Sequence, residues 1–239
     1  MGELRAMEYE HDGVVLKGEL ALPAGPGPHP GVLVMHDAHG LNDLVRRRAL
    51  ALAEMGYAAL ATDTYGGGKL FTGQTEVGPS FQALQDDPQR LRGRVLAAFE
   101  ALRARPEVDA ARVGGIGFCF GGQCVLELAR SGADARAVVS FHGLLHTAQP
   151  ARPGAVKAKV LVLTGGRDPY APGEAVAALQ REMTEAGADW QLTVYGEGWH
   201  AFTDPNPKKA EVPGVRYDPL LDRLSWAQAT AFLEATLRG

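Results

Sequence analysis

A mostly parallel, doubly wound α/β sheet of about eight strands flanked by helices is the fold the sequence predicts. Short continuous apolar runs such as 31–35 and 160–164 are the pattern of strands covered on both faces. Amphipathic stretches of helical period separate them, which is the alternation that builds parallel sheets. At 239 residues the chain has room for one large buried core and not for two comfortable domains. Residues 1–239 are therefore read as a single domain.

The elements follow in order. Residues 6–22 alternate apolar and polar side chains around His11-Asp12-Gly13, which predicts a hairpin with Asp-Gly at its tip, at one sheet edge. The run 31–35 follows a Pro/Gly-rich loop and predicts the first buried strand, with a helix over 44–55 after it. Strand 57–62 precedes a long Gly- and Thr-rich connection, 64–85, placed to act as a lid. Helix 87–105, strand 112–117 and helix 121–130 come next. Strands 135–141 and 160–164, helix 173–186, strand 191–195 and helix 217–237 complete the alternation. Ligands of such sheets sit at the carboxyl ends of the strands, so the loops there are where chemistry is sought.

Bulk properties narrow the partner. The net charge of -4 is spread without a long basic run, so neither nucleic acid nor an anionic membrane surface is indicated, and a small molecule is. Cys119 and Cys124 lie too close together to staple distant elements. A reducing compartment fits, and the residues MGELRAMEYEHDG show no apolar run of a signal or spanning segment. The expected location is cytoplasmic.

The strongest local signal is Gly117-Phe118-Cys119-Phe120-Gly121-Gly122, between a predicted strand and a predicted helix. Small residues two before and two after let strand and helix approach closely, and the turn exposes the central residue at the sheet top as a nucleophile. That residue is cysteine, whose thiolate is favoured at a helix N-terminus and beside a histidine. Free cysteines are more often buried packing residues; Cys124, inside the helix and lacking the glycine frame, is assigned that role.

A nucleophile of this kind needs a base and a group that orients the base. Asp168 follows strand 160–163 in Thr164-Gly165-Gly166-Arg167-Asp168-Pro169, and His200 follows the last strand in Gly198-Trp199-His200-Ala201-Phe202. Nucleophile, acid, histidine is the order found in α/β-hydrolases. His36, His39 and His142, also near strand ends, compete for the base role. The segment after the first buried strand is where such folds place one oxyanion-hole amide, here that of Ala38. The other is that of the residue after the nucleophile, Phe120.

These residues resemble the dienelactone hydrolase family over almost the whole chain. The resemblance rests on His36-Asp37-Ala38-His39-Gly40-Leu41, Asp63-Thr64-Tyr65-Gly66, the cysteine elbow, Gly165-Gly166-Arg167-Asp168, His200-Ala201-Phe202 and the stretch 217–226. It implies an α/β-hydrolase fold and a Cys119, Asp168, His200 triad acting on an ester or lactone. It also implies a thiolate-modulating carboxylate at Asp37, where the family usually has glutamate. The family's two carboxylate-holding arginines have no counterpart: residues 64–89 contain none, and Asp204 stands four residues after His200. Aspartate would repel the carboxylate that arginine clamps, so dienelactone itself does not carry over as substrate. Lys69, Arg167 and Arg216 are the candidate substitutes.

The expected reaction is acyl transfer to water, with no metal or organic cofactor, since no Cys/His cluster has zinc spacing. Tyr65, Trp199 and Phe202 are the expected pocket residues, with Phe71, Phe81, Phe118 and Phe120 as further aromatic candidates. Two readings from other classes compete. In one, Cys119 is a redox-sensing or ligand-binding thiol in a catalytically weak scaffold, which leaves Asp168 without a use. In the other the chain is an interaction module, which needs an exposed apolar patch. The sequence carries no information on oligomeric state.

Overall fold

The computed structural model describes residues 3–206, 209 and 211–239. In chain order the elements are β1 (Leu4–His11), β2 (Val14–Ala21), β3 (His29–Met35), α1 (Asp43–Glu54), β4 (Ala58–Ala61), α2 (Gln74–Gln85) and α3 (Pro88–Arg103). Then come β5 (Val108–Phe118), α4 (Phe120–Arg130), β6 (Ala137–Phe141), β7 (Lys159–Gly165), α5 (Gly173–Glu185), β8 (Trp190–Tyr195) and α6 (Pro219–Leu237). All eight strands form one sheet in the order β1-β2-β4-β3-β5-β6-β7-β8.

β1 and β2 are the predicted edge hairpin, in register from Leu4 opposite Ala21 to His11 opposite Val14. Asp12 and Gly13 at its tip have φ of 51° and 72°, the pair of left-handed residues whose twist suits a two-residue hairpin. β2 joins β4 antiparallel, and β3 to β8 run parallel. Alternate side chains of each strand feed opposite cores. Val32, Val34, Phe118, Val139 and Leu161 meet α1 and α6 on one face; Leu33, Met35, Val138, Val160 and Val162 meet α3, α4 and α5 on the other.

Between α3, α4 and α5 lies a chain of buried charges. Glu127 bonds Arg92 and Arg130, and Arg130 reaches Glu182. Buried charges persist where each is answered by a partner.

The order of strands also positions the site. From β3 the chain leaves through α1 to β4 on one side, then returns through α3 to β5 on the other. Loops leaving β3 and β5 diverge, and a crevice opens above their carboxyl ends. Among the described residues no helix is long and apolar enough to cross a membrane.

One expectation is corrected. Residues 64–85 are not a single loop: their second half is α2, despite Gly78 and an internal Pro79. The helix starts where Glu76 accepts hydrogen bonds from the Thr72 and Gly73 amides at 3.1 and 3.4 Å. Burial of Val77 and Leu84 then supplies what propensity lacks.

Candidate active site

Cys119 sits at the turn from β5 into α4 with φ 56° and ψ -115°, a left-handed conformation that L side chains avoid. The glycines around it make the turn possible. A Cβ on Gly117 would lie 1.9 Å from the Gly121 carbonyl oxygen, and one on Gly121 would lie 2.2 Å from that of Met35. Strand and helix therefore close on each other through bare backbone, and the half-buried thiol is left at the N-terminus of α4.

His200 and Asp168 reach the same place from the ends of β8 and β7. His200 Nδ1 donates to Asp168 Oδ2 at 2.8 Å, which leaves Nε2 as the working nitrogen. Cys119 and His200 line the same cavity, and the sulfur acts on the imidazole electrostatically. Burial alone would lower its pKa, but the sulfur and the Asp168 carboxylate outweigh that and push it up to about 10. The two loops are tied together by the Arg167 N–H, which donates to the Gly198 carbonyl at 2.9 Å, and His200 is pinned by its N–H to Gly214 at 3.1 Å.

The expected oxyanion donors are fixed through the opposite ends of their peptide planes. Asp37 C=O accepts from His36 Nδ1 at 2.6 Å and from the Gly40 N–H at 3.2 Å. The trans Ala38 N–H must then point the other way. Likewise Cys119 C=O accepts from the Gly122, Gln123 and Leu144 amides, which turns the Phe120 N–H away from them. Neither N–H has an acceptor among the hydrogen bonds of the described residues.

This gives His36 a role other than base. Its Nε2 accepts from the Thr64 N–H at 3.0 Å, so Nδ1 carries the proton, and burial lowers its pKa and keeps the ring neutral. Tyr65 holds the same loop, donating from its hydroxyl to Ala38 O at 2.9 Å. His39 is bonded to Asp37 through its N–H at 2.7 Å. His142 packs edge-on against His200 with centroids 5.4 Å apart, and its Nε2 meets Thr203 Oγ1 at 2.8 Å. Burial, then the charge of His200, keeps His142 neutral.

Asp37 is placed differently from expectation. Its carboxylate accepts from the His39 N–H, from Asn42 Nδ2 at 2.8 Å and from Lys209 Nζ; no hydrogen bond to Cys119 is among those of the described residues. Burial would raise its pKa, and Lys209 with His39 instead hold it below the ordinary carboxylate range. Lys209 also pairs with Asp204. Lys209 is not among the residues singled out from the sequence, and its partner Asp37 lies 172 residues away.

Cys119, Ala38, His142 and His200 open on a cavity of about 300 Å³ with an apolar wall of Val77, Phe81, Leu144, Tyr170, Val212 and Val215. Phe81 was a sequence candidate. Tyr65, Trp199 and Phe202 do not line it, which corrects the expected pocket. Tyr65 is turned to Ala38, and Phe202 is fully buried in the core beside Tyr195 and His142. Trp199 is half-buried and lies off the cavity wall. Lys69, Arg167 and Arg216 are likewise absent from the lining. Tyr170 escaped notice although it lies two residues after Asp168. Its N–H donates to Asp168 Oδ1 at 2.8 Å and its ring centroid lies 4.7 Å from that of His200. No group of three or more His, Cys, Asp or Glu among the described residues could hold a metal ion.

Comparison with known proteins agrees with this architecture. The model of the dienelactone hydrolase family matches residues 16–237. The chain is 36% identical to the solved structure of a dienelactone hydrolase-like promiscuous phosphotriesterase, P91, from metagenomic libraries, over 98% of each chain and with a TM-score of 0.93. It is 39% identical to a solved structure named m3DLH, over 99% of each chain, with a TM-score of 0.92. A protein of Methylorubrum extorquens named "Putative carboxymethylenebutenolidase" is 30% identical over 202 residues, 80% of this chain and 69% of that one.

Proposed function

The chain belongs to the dienelactone hydrolase family, and from that premise we propose that it hydrolyses carboxylic esters or lactones with Cys119 as nucleophile, His200 as acid and base, and Asp168 as the residue orienting His200. The observation that carries this reading is the Asp168–His200 hydrogen bond on the wall of the cavity that also receives a thiol held at positive φ on a helix N-terminus. A purely structural cysteine has no need of that strain or of those partners.

In the first half-reaction the Cys119 sulfur forms a bond to the carbonyl carbon, and the carbonyl π electrons move onto oxygen. The Ala38 and Phe120 N–H groups stabilise that oxyanion. On collapse the C–O bond of the ester breaks, His200 Nε2 gives its proton to the departing alkoxide, and an acyl thioester remains on Cys119. In a lactone the alkoxide leaves as the far end of the same molecule. In the second half-reaction water loses a proton to His200 and adds to the thioester, and the thiolate departs with the carboxylic acid as product. Asp168 keeps the Nδ1–H tautomer throughout. The cavity of about 300 Å³ lies at the small end of ligand sites and fits a compact acyl group.

The test is hydrolysis of p-nitrophenyl butyrate by the wild type, Cys119→Ala and Cys119→Ser, each checked for folding by circular dichroism. Loss of a catalytic nucleophile is expected to lower kcat by at least about 10³-fold. Turnover that survives in Cys119→Ala rules out Cys119 as nucleophile.

A further inference from the structure

We infer that the catalytic cavity selects uncharged esters and turns away those whose acyl group carries a carboxylate, because Lys209, its one lysine or arginine among the described residues, is already bound between Asp37 and Asp204. This rests on the hydrolase reading above and assigns its substrate class.

Charge on the cavity wall comes in two sets. His200 faces Asp168, so that pair offers no surplus cation. Lys209 faces two carboxylates, and the His39 ring also meets Asp37 at 3.1 Å; with that imidazole neutral, two carboxylates against one ammonium leave a net negative charge. All three side chains of this second set are buried, with 11% of Lys209 and 5% each of Asp37 and Asp204 exposed. Coulombic attraction is strong in such surroundings and water competes poorly for the ammonium.

Lys209 is also not easily lent to a substrate. Asp37 is fixed from the other side by the His39 N–H and Asn42 Nδ2, and Asp204 Oδ1 accepts from the Asn206 N–H at 3.0 Å. Turning Lys209 toward a bound carboxylate would strand two buried carboxylates that cannot follow it. An incoming anion thus meets net negative charge and, among the described residues, no unengaged lysine or arginine, whereas the rest of the wall, including Val77, Phe81 and Leu144, suits an apolar acyl chain. Discrimination here works by repulsion of the wrong substrate as much as by affinity for the right one.

The experiment compares two esters of equal chain length, p-nitrophenyl hexanoate and the p-nitrophenyl monoester of adipic acid, after correction for spontaneous hydrolysis. Wild-type kcat/KM is expected to favour the hexanoate by about 30-fold or more. Asp204→Asn removes one negative charge at nearly constant volume and is expected to narrow that ratio by about tenfold. A wild-type ratio near one, or a preference for the adipate ester, overturns the inference while leaving the hydrolase intact. A ratio that Asp204→Asn leaves unchanged removes the ion cluster as its source and overturns the assignment. Failure to cleave either ester sinks the hydrolase reading and this inference with it. If Asp204→Asn does not fold, the wild-type ratio alone decides.

Discussion

Cys119 and Cys124 lie five residues apart at the start of one helix, share one side-chain chemistry, and occupy opposite environments. Cys119 has φ 56°, is half-buried, and faces the same cavity as a histidine pushed up to about 10. Cys124 is a helical residue with no exposure, set among apolar neighbours of the core. Burial, with Glu127 nearby, pushes its thiol up well above the ordinary value, so it stays a thiol at neutral pH. The helix dipole acts within the first turn, at Cys119, and has faded by Cys124. Reactivity of a thiol in this fold is thus set by a turn geometry and a partner histidine, neither of which is a property of cysteine.

Removing the group behind that histidine should weaken the distinction most. Asp168→Asn keeps the shape but loses the charge that holds the Nδ1–H tautomer, and turnover is expected to fall by about 10²- to 10⁴-fold. The pH profile sharpens the test. His200 is raised, so its imidazolium persists below about 10 and is lost as pH climbs through that value. If catalysis starts from that imidazolium, the alkaline limb of kcat/KM lies near 10 in the wild type. It should move to lower pH in Asp168→Asn, because one of the groups raising the pKa has gone. Unchanged turnover in this variant would mean Asp168 orients nothing that matters to the reaction.

A smaller effect reads the two thiols directly. Brief treatment of the native protein with iodoacetamide, followed by peptide mass mapping, should label Cys119 faster than Cys124 by about 100-fold or more, since reactivity follows thiolate character and access. Equal labelling would erase the contrast. In unfolded protein the two rates should converge, because what separates them belongs to the fold.

The contrast was legible in the sequence because it is local. Glycines two before and two after Cys119 mark the elbow, and Cys124 lacks them. The meeting of Asp168 with His200 was legible too, from strand ends that a parallel sheet must bring to one rim. What was not legible depends on contacts across the chain. Lys209 takes its meaning from Asp37, 172 residues away. The helix α2 was hidden by Gly78 and Pro79, and it exists because Val77, Phe81 and Leu84 have something to pack on. Phe202 was misplaced because a motif residue can belong to the core, and nothing local marks Trp199 as lying off the cavity wall. His36, first a rival base, is a neutral strut only once Thr64 is seen to donate to its Nε2.

The smallest expected effect falls on the other thiol. Cys124→Ala removes one buried sulfur from a close-packed core, at a cost of about 1 kcal/mol. In a domain of this size that corresponds to a fall in Tm of roughly 2–4 °C. Because Cys124 does not line the cavity, kcat/KM for p-nitrophenyl butyrate should stay within about twofold of wild type, a change within the core that leaves transition-state contacts alone. A loss of turnover comparable to that of Cys119→Ala, with Tm little altered, would place Cys124 in the reaction and overturn the division of labour between the two cysteines. The opposite pattern, a lower Tm with turnover intact, is what packing alone predicts.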